Sequence, residues 1–387
     1  MAKMKSVVLS ARWDPRRSFK LGPKDTDRKL TYLGSQAWRN PGLKIMEKDI
    51  PEISPAEVLI KVKACGICGS DVHMAQSDEE GYIWYPGLTA FPSTKTGKEA
   101  INKRSGKRYN EGEAVTAEEM LWCASCRPCA DGYPNHCERL QELGFSCDGA
   151  FAEYVKVDAR YVWSLEELRG SYKSEDIFLA GSLVEPTSVA YNAVIERGGG
   201  IRPGDNVVIL GGGPIGLAAV AILKRAGATK VILSEPSQER RERGKIMGAD
   251  SVINPLEEDF TERVLELTQD MGAKLYLEAT GLPDKVFADI EETIWRGKQI
   301  NSTVVIVARS VKKIPLTGEV FQVRRASLVG SQGHSGHGTF PRVISSMAAG
   351  MDTTPLITKK ITLKEVPENI VLLQTDRKEC KITAVLE

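Results

Sequence analysis

The chain has little of several features that mark particular classes of protein. Its 387 residues carry 52 basic and 51 acidic side chains, so it lacks the basic excess that a general nucleic-acid binder usually shows. No apolar run approaches the roughly 20 residues that a transmembrane helix needs. The start, MAKMKSVVLSARW, contains no apolar stretch long enough for a signal peptide. These absences predict a protein with no nucleic-acid and no membrane partner.

Internal repeats and low-complexity tracts are also missing, and the rest of the composition is typical of a globular protein. Hydrophobic residues make up 42% and charged residues 27%, which allows a packed core. The length predicts two or three domains. Eight cysteines without a secretory signal indicate a reducing compartment, so the cytoplasm is the expected location.

Four of the cysteines lie close together in the segment WCASCRPCADGYPNHC. They are Cys123, Cys126, Cys129 and Cys137, spaced C-x2-C-x2-C-x7-C. Thiolates at such short spacings can meet around one tetrahedral Zn²⁺ with little cost to the backbone. Scattered core cysteines or a disulfide pair are the alternative. A site closed by four thiolates organises a lobe and does no chemistry, so we expect a structural zinc in a lobe at residues 120–140.

The pattern of apolar residues changes along the chain and predicts an α/β protein. In residues 1–190, EVLIKVKACG and GAFAEYVKVD alternate apolar and polar residues as half-buried strands do. In residues 191–325, the runs NVVIL, TKVIL, KLYLEAT and STVVIVA alternate with helical stretches, which is typical of βαβ units and a parallel sheet. Residues 326–387 are expected to return to the first part. We therefore predict a β-rich catalytic domain from 1–190 and 326–387, with a dinucleotide-binding domain at 191–325 inserted.

A glycine-rich turn follows the strand NVVIL directly. Gly211, Gly213 and Gly216 fit G-x-G-x-x-G at a strand-to-helix junction, with Pro214 and Ile215 between them. The first glycine allows the tight turn, the second lets the backbone approach a pyrophosphate, and the third lets the helix pack near the strand. The helix N-terminus then presents free amides to phosphate. These five residues are candidate cofactor-binding residues.

The next strand, TKVILSEP, ends with Glu235, which lies 24 residues after Gly211. A carboxylate at that strand end can accept both ribose hydroxyls of the adenosine and would repel a 2′-phosphate. The sequence therefore favours NAD over NADP as the cofactor. Arg240 and Arg241 slightly favour NADP, although they can equally flank the adenine or face solvent. We include Arg240 among the cofactor-binding candidates.

The segment CGICGSDVH holds several side chains that can do chemistry. It contains Cys65, Cys68, Ser70, Asp71 and His73. A CxxC pair can be redox-active, but thioredoxin-like chemistry needs the pair to open a helix in a βαβ context. This pair follows a strand of the β-rich part instead.

A second candidate lies in LAGSLVEPTSVAYNAV. Glu185 precedes a proline that can begin a helix, and a carboxylate there can simply favour the positive end of that helix's dipole.

Taken together, these motifs resemble the zinc-containing medium-chain alcohol and polyol dehydrogenases. CGICGSDVH, the four-cysteine segment, GAFAEYV, VEPTSVAYNA and GGGPIG occur in that family's order and span nearly the whole chain. The stretches LVEPTSVAYNAVIERGGGIRPGDNVVILGGGPIG and GSQGHSGHGTFPRVI resemble its sorbitol and inositol branch. The resemblance implies a GroES-like catalytic lobe with an inserted Rossmann fold, a doubly wound parallel sheet.

The resemblance also implies roles for matching residues. Cys65 would be a ligand of a catalytic zinc, and Glu185 a ligand or a near-ligand reached through water. Ser70 and His73 would pass the proton of the substrate hydroxyl outward, while zinc acts as a Lewis acid and NAD accepts the hydride. His334 and His337 fall where the family's chain passes the nicotinamide, so they are substrate-pocket candidates. The alternative for both is a glycine-rich turn with exposed imidazoles.

One departure from the family concerns the catalytic zinc. The family has a G-H-E motif, which supplies a histidine ligand, and then a valine-rich strand. This chain has FPSTKTGKEAINKRSGKRYNEGEAV, where Gly97-Lys98-Glu99 offers only a protonated lysine, which is no zinc ligand. Of its four histidines none stands at that position. Either a short segment is deleted, or the printed sequence omits residues that the protein has; in the second case two neighbours between Phe91 and Glu99 would have widely separated Cα atoms.

Three hypotheses for the function follow. The first is a zinc-dependent dehydrogenase that transfers a hydride from a secondary hydroxyl of a polyol to NAD, with one structural zinc and one catalytic zinc if the missing segment is present. The second is an inactive dinucleotide-binding homologue that keeps only the structural zinc. The third, a zinc-independent quinone reductase, is disfavoured by the four-cysteine segment and CGICGSD. The expected partners are a small polyol substrate and further copies of the chain in a dimer or tetramer.

Overall fold

The computed structural model describes residues 2–22, 36–83, 106, 108–310, 312–314, 316–334, 336, 338–376 and 378–387. The chain divides into two compact units. The first unit combines Met1–Ser182 with Ile357–Glu387, and the second is Leu183–Leu356. Among the residues described, no helix is both long enough and apolar enough to cross a membrane.

The N-terminal part of the first unit is mostly β-structure. Its strands are β1 (Lys3–Trp13), β2 (Trp38–Asp49), β3 (Glu57–Lys61), β4 (Ala64–Gly66), β5 (Val115–Ala117), β6 (Met120–Leu121), β7 (Gln141–Glu142), β8 (Tyr154–Asp158) and β9 (Val162–Ser164). Its helices are α1 (Gly69–Ala75), α2 (Arg127–Ala130) and α3 (Asp176–Ser182), with 3₁₀ turns at Pro134–His136, Ala159–Tyr161 and Glu166–Gly170.

The second unit alternates helices and strands. Its elements are α4 (Val184–Tyr191), a π-helical segment (Asn192–Arg197), β10 (Asn206–Leu210), α5 (Pro214–Arg225), β11 (Lys230–Ser234), α6 (Gln238–Ile246), β12 (Ser251–Ile253), α7 (Phe260–Leu267), β13 (Leu275–Glu278), α8 (Pro283–Arg296), β14 (Thr303–Ile306), α9 (Gly318–Val323), β15 (Ser327–Gly330), α10 (Thr339–Ala348) and a 3₁₀ turn (Thr354–Leu356).

The C-terminal segment completes the first unit. It consists of β16 (Ile357–Ile361), a 3₁₀ turn (Leu363–Glu365), α11 (Val366–Leu372) and β17 (Lys381–Val385). Strand β17 pairs in parallel with β16 and antiparallel with β4, where Ala384 stands opposite Cys65. Buried apolar residues from both chain ends, among them Ile67, Val72 and Ile382, share one core cluster. Both ends of the chain thus build the β-rich lobe, as the sequence predicted.

The second unit is built on a parallel sheet of six strands in the order β12-β11-β10-β13-β14-β15. From β10 the chain builds outward through β11 to β12 on one side. From β13 it builds outward through β14 to β15 on the other side, which is the doubly wound arrangement. In such sheets ligands bind at the carboxyl ends of the strands where the order reverses. This confirms the predicted Rossmann-type sheet and puts the glycine-rich turn after β10 at the reversal.

The junction between β10 and α5 shows why the sequence folds this way. The residues of β10 after Asn206 are buried on both faces, as in a central parallel strand. Pro214 begins α5, since a proline at the first helical position gives up an amide that has no helical partner. Lys224 and Arg225 occupy the last turn, where cations favour the helix dipole, and Gly227 follows at φ +96°.

The boundaries between the two units lie at other positions than the sequence suggested. The sequence put the changes near residues 190 and 326, whereas the compact units meet at 182/183 and 356/357. The larger difference arises because β15 is an edge strand of the parallel sheet, with Leu328 opposite Val304 of β14. Short apolar runs such as ASLVG do not reveal their partner strand, which is set by tertiary pairing.

Candidate zinc, cofactor and catalytic sites

Four cysteine sulfurs converge around α2. The Sγ atoms of Cys123, Cys126, Cys129 and Cys137 all lie within 4.8 Å of one another. The sulfur of Cys126 is 3.4 Å from that of Cys129 and 3.8 Å from that of Cys137. Four Zn–S bonds of about 2.3 Å in a tetrahedron separate the sulfurs by about 3.8 Å. The arrangement therefore fits one zinc ion held by four thiolates, with no coordination position left for a substrate.

Backbone amides point at two of these sulfurs. The Ser125 amide donates to the sulfur of Cys123 at 3.4 Å, and the amides of Cys123 and Arg139 donate to the sulfur of Cys137 at 3.2 and 3.3 Å. The guanidinium of Arg139 also donates to the sulfur of Cys123, at 3.4 Å. The Ser125 amide is the main reason why the pKa of Cys123 falls to about 5. These donors favour the thiolate, which is the form that binds a metal.

The glycine-rich turn has the close contacts that only glycine allows. Gly211 adopts φ +104°, and a Cβ there would lie 2.9 Å from the carbonyl of Ala279. A Cβ on Gly216 would lie 1.9 Å from the carbonyl oxygen of Gly211. The turn and the approach of α5 to β10 therefore both depend on these two glycines.

The other residues of the turn lie at the start of α5. Gly213 is the N-cap, Pro214 is the first helical residue and Ile215 follows it. Among the described residues, and apart from its two chain neighbours, no residue has a heavy atom within 4 Å of the place where a Cβ of Gly213 would stand, so this side of the turn is open. The amides of the first helical turn and the positive end of the helix dipole can meet a phosphate there.

Glu235 follows β11 and reaches back to the turn. Its Oε2 accepts a hydrogen bond from the amide of Gly212 at 2.6 Å, and its Oε1 accepts one from the amide of Ser237 at 2.8 Å. The residue is 5% exposed. A carboxylate in this place suits the two hydroxyls of an adenosine ribose and repels a 2′-phosphate.

The two arginines that follow take different positions. Arg241 donates from its guanidinium to the backbone carbonyl of Glu235 at 2.9 Å. Arg240 lies beside the turn, with its Cβ 3.2 Å from the place where a Cβ of Gly212 would stand. Arg240 therefore lies next to the glycine-rich turn, while the guanidinium of Arg241 donates to the backbone carbonyls of Glu235 and Pro236.

Cys65 belongs to a different element from Cys68, Ser70 and His73. Cys65 lies on β4, and burial of its sulfur raises the pKa of the thiol to about 12. Cys68 is exposed and is the N-cap residue of α1. Its sulfur lies 3.8 Å from the hydroxyl of Ser70, and its amide donates to the carboxylate of Asp71 at 2.7 Å. Cys68, and not Cys65, is the cysteine that lies beside Ser70.

His73 is held by a side chain that the sequence interpretation missed. Its Nδ1 lies 3.1 Å from Oε1 of Gln76, the residue that caps the C-terminal end of α1. With the amide oxygen as acceptor, Nδ1 carries the proton and Nε2 has the acceptor role. A spacing of three residues puts two side chains on the same face of a helix, so the sequence held this signal.

In the second unit, Glu185 and His334 lie together. Glu185 is in the first turn of α4, and its Oε1 is 3.8 Å from Nε2 of His334. His334 is 1% exposed, and its ring packs against that of Phe340 at 4.9 Å between centroids. Burial lowers the pKa of His334 to about 3, so its ring is uncharged at neutral pH. The alternative of an exposed imidazole therefore does not hold for His334.

Two of the sequence-based predictions lie outside the described residues. They are the pocket role of His337 and the Cα spacing between Phe91 and Glu99.

Comparison with protein families gives two matches that follow each other along the chain. Residues 54–167 match the alcohol dehydrogenase GroES-like domain, and residues 214–349 match the zinc-binding dehydrogenases. A curated relative, scyllo-inosose 3-dehydrogenase of Thermotoga maritima, is 66% identical over 395 residues, covering 99% of this chain and 100% of that protein. The resemblance to the inositol branch is thereby confirmed.

The length of that alignment bears on the missing G-H-E motif. It spans 395 positions, whereas this chain has 387 residues, a difference of eight. At least eight aligned positions therefore have no residue in this chain. Such gaps are what a missing segment requires, although the count does not locate them.

Solved structures agree with the sequence comparison. The structure of a putative alcohol dehydrogenase from Thermotoga maritima is 66% identical, covers 99% of this chain and 100% of its own, and has a TM-score of 0.96. A short chain alcohol dehydrogenase from E. coli CFT073, in complex with NADH, is 26% identical with full coverage of both chains and a TM-score of 0.73. The chain belongs to the zinc-binding alcohol dehydrogenases.

Proposed function

We propose that the protein is an NAD-dependent polyol dehydrogenase that oxidises one secondary hydroxyl of an inositol, an inosose or a similar polyol. The observation that carries the proposal is the 66% identity to scyllo-inosose 3-dehydrogenase over that protein's whole length. A polyhydroxylated ring offers one hydroxyl for oxidation and others for recognition. Only interactions that strengthen in the transition state raise the rate, and they form when one particular hydroxyl is held at the reacting position, so we expect specificity for that hydroxyl.

Recognition of NAD is assigned to the glycine-rich turn and Glu235. The open side of Gly213 and the amides at the start of α5 receive the pyrophosphate, and the carboxylate of Glu235 receives the adenosine ribose. Arg240 flanks the adenine side. NAD, when bound, accepts the hydride that leaves the substrate carbon.

The residues present fit the two proposed zinc ions unequally. The four-cysteine site fits its zinc in donor type and in sulfur spacing. At the catalytic position the family resemblance asks for a cysteine, a histidine and a glutamate; the cysteines of CGICGSDVH and Glu185 are present, and the histidine is absent from the sequence. A zinc there, when bound, supplies the Lewis acidity that stabilises the substrate alkoxide. With one donor fewer, we expect weaker binding than at the four-cysteine site.

Proton transfer is assigned to residues on α1. Ser70 holds the hydrogen of the substrate hydroxyl, and His73 carries the proton outward. The contact of Nδ1 with Gln76 gives Nε2 the acceptor role that this requires. In the second unit, Glu185 and His334 offer a carboxylate and a neutral imidazole to hydroxyls of the polyol, and His337 is proposed to line the same pocket.

The decisive experiment follows NADH formation against cyclic and linear polyols, with added Zn²⁺ in the assay. We expect oxidation of an inositol or inosose and little activity on simple primary alcohols, with NAD preferred over NADP. Activity on primary alcohols alone would remove the polyol assignment. No activity on any alcohol, with bound NAD still detected by calorimetry, would show an inactive homologue that keeps the structural zinc.

We also propose a cytoplasmic location and a homodimer or homotetramer. None of the eight cysteines, all of which are described, forms a disulfide, in line with a reducing compartment. Strand β15 is at the edge of the described sheet, and an edge strand can pair with another chain. Light scattering during size-exclusion chromatography measures the oligomer, and a monomeric mass would contradict the proposal.

A further inference from the structure

One face of the helix that starts with α4 contacts the loop before α10 at two points. Glu185 and Asn192 are seven residues apart, which puts them on the same side of the helix. Glu185 lies opposite His334, and Asn192 lies opposite Gly333, the residue that precedes His334. The same helix face thus meets both the imidazole and the backbone that carries it.

The contacts of Asn192 are hydrogen bonds that its amide group donates. Nδ2 donates to the carbonyl of Gly333 at 2.9 Å, and more weakly to the carbonyl of Gln332 and the hydroxyl of Ser331, both at 3.4 Å. Asn192 is 3% exposed, so water competes little for these acceptors. Donation to carbonyls is possible for asparagine and impossible for an ionised aspartate of the same shape.

The local helix geometry supports a special role for this position. Asn192 is the first residue of the π-helical segment Asn192–Arg197. Single π turns inside α-helices are uncommon and occur often at functional sites. The loop itself is fixed at its far end, where the hydroxyl of Thr339 donates to the carbonyl of His334. Asn192 is therefore the anchor on the near side of His334.

We propose that Asn192 is a positioning residue, which through the backbone of Gly333 sets His334 against Glu185 for binding of the polyol hydroxyls. The proposal rests on the proposed function for its catalytic consequence. Its structural consequence is the placement of the loop, which can be measured whether or not the protein shows enzyme activity.

The test compares Asn192→Asp with Arg197→Ala. Arg197 is in the same π-helical segment and donates one hydrogen bond, at 2.9 Å, to the carbonyl of Gly330 at the start of the same loop. Asn192→Asp keeps the shape of the side chain. It replaces the amide group, which donates hydrogen bonds, with a carboxylate that faces the carbonyl oxygens of the loop. If Asn192→Asp does not fold, Asn192→Ala takes its place.

We expect Asn192→Asp to raise the KM for the polyol and lower kcat, together by about tenfold or more, because a displacement of about 1 Å can cost about a hundredfold. The Kd for NAD should stay close to that of Arg197→Ala, whereas the melting temperature should fall further in Asn192→Asp, because a buried carboxylate then faces carbonyl oxygens. Amide hydrogen exchange of the loop peptide should accelerate in Asn192→Asp and much less in Arg197→Ala.

The readouts separate failure of this proposal from failure of the proposed function. If the wild-type protein oxidises no alcohol, the proposed function fails, and faster exchange in the loop still supports the positioning role. The positioning role would be overturned by a folded Asn192→Asp in which amide hydrogen exchange of the loop is unchanged. Equal losses of activity in Asn192→Asp and Arg197→Ala would also overturn it.

Discussion

Cys65 and Cys68 lie three residues apart and yet occupy different environments. Cys65 is part of strand β4, which is paired on one side with β17. Cys68 stands at the exposed start of α1 with Ser70 beside it. A ligand of a catalytic zinc must present its sulfur where a substrate hydroxyl can also arrive. The geometry therefore favours Cys68 as the sulfur donor over Cys65, the ligand that the family resemblance implies.

We expect Cys68→Ala to abolish zinc-stimulated oxidation and the binding of a second zinc, and Cys65→Ala to retain both. NADH formation measures the first effect, and equilibrium dialysis at saturating Zn²⁺ measures the second. The two variants remove the same group from neighbouring positions and so control for each other. Loss of the second zinc in Cys65→Ala alone would return the assignment to Cys65.

Glu235 has two tasks in the structure, and they can be separated. Its carboxylate accepts a hydrogen bond from the Gly212 amide. Its charge is expected to face the adenosine ribose of the cofactor. Glu235→Gln keeps an acceptor for the amide and loses the charge, while Glu235→Ala loses both. We expect Glu235→Gln to weaken NAD binding by about tenfold, since hydrogen bonds to a charged group contribute about 1.5–3 kcal/mol, and to relax discrimination against NADP.

Calorimetric titration with NAD and NADP measures both effects of the Glu235 substitutions. Glu235→Ala should bind both cofactors more weakly, because the turn loses its anchor. A wild-type protein that prefers NADP would contradict this role for Glu235.

At the scale of elements, the four-cysteine segment has almost no regular structure to support it. Its only α-helix is the four-residue α2, so we expect the metal to hold the segment together. We expect Cys126→Ser to lose one zinc per chain and to lower the melting temperature. Cys147→Ser, which changes a half-buried cysteine elsewhere in the first unit, should keep its zinc. Equal zinc content in wild type and Cys126→Ser would refute the site.

Sequence patterns predicted some elements well and others poorly, for physical reasons. Strands β10, β11, β13 and β14 were predictable because each is a short, largely buried apolar run next to a helical stretch, whereas the edge strand β15 is more exposed and was not assigned to this sheet. The glycine-rich turn was predictable because its backbone excludes a Cβ at Gly211 and Gly216. The π-helical segment was not, since its hydrogen-bond shift leaves no periodic signal. The contacts of Asn192 with Gly333 were not, because they join residues far apart in the sequence.

At the scale of the whole molecule, the open question is whether this chain loads a second zinc. The four-cysteine site offers a complete donor set, whereas the catalytic position lacks the histidine that the family resemblance requires. Zinc sites generally use at least three protein ligands, and loss of one weakens binding. The chain is therefore expected to hold one zinc tightly and a second one only at higher metal concentration.

We expect competition titration with a zinc chelator to resolve one tight site per chain, with NADH formation rising only as added Zn²⁺ fills a weaker one. The matched variant carries the residues that the Thermotoga maritima relative has where its alignment leaves gaps in this chain. If those residues supply the absent histidine, the variant should hold two zinc ions tightly and oxidise the polyol without added metal. Full activity of the unaltered chain with one zinc per chain would show that its chemistry does not depend on the second ion. Two tight zinc ions in the unaltered chain would show instead that another residue replaces the histidine, for which His334 would be the first residue to substitute.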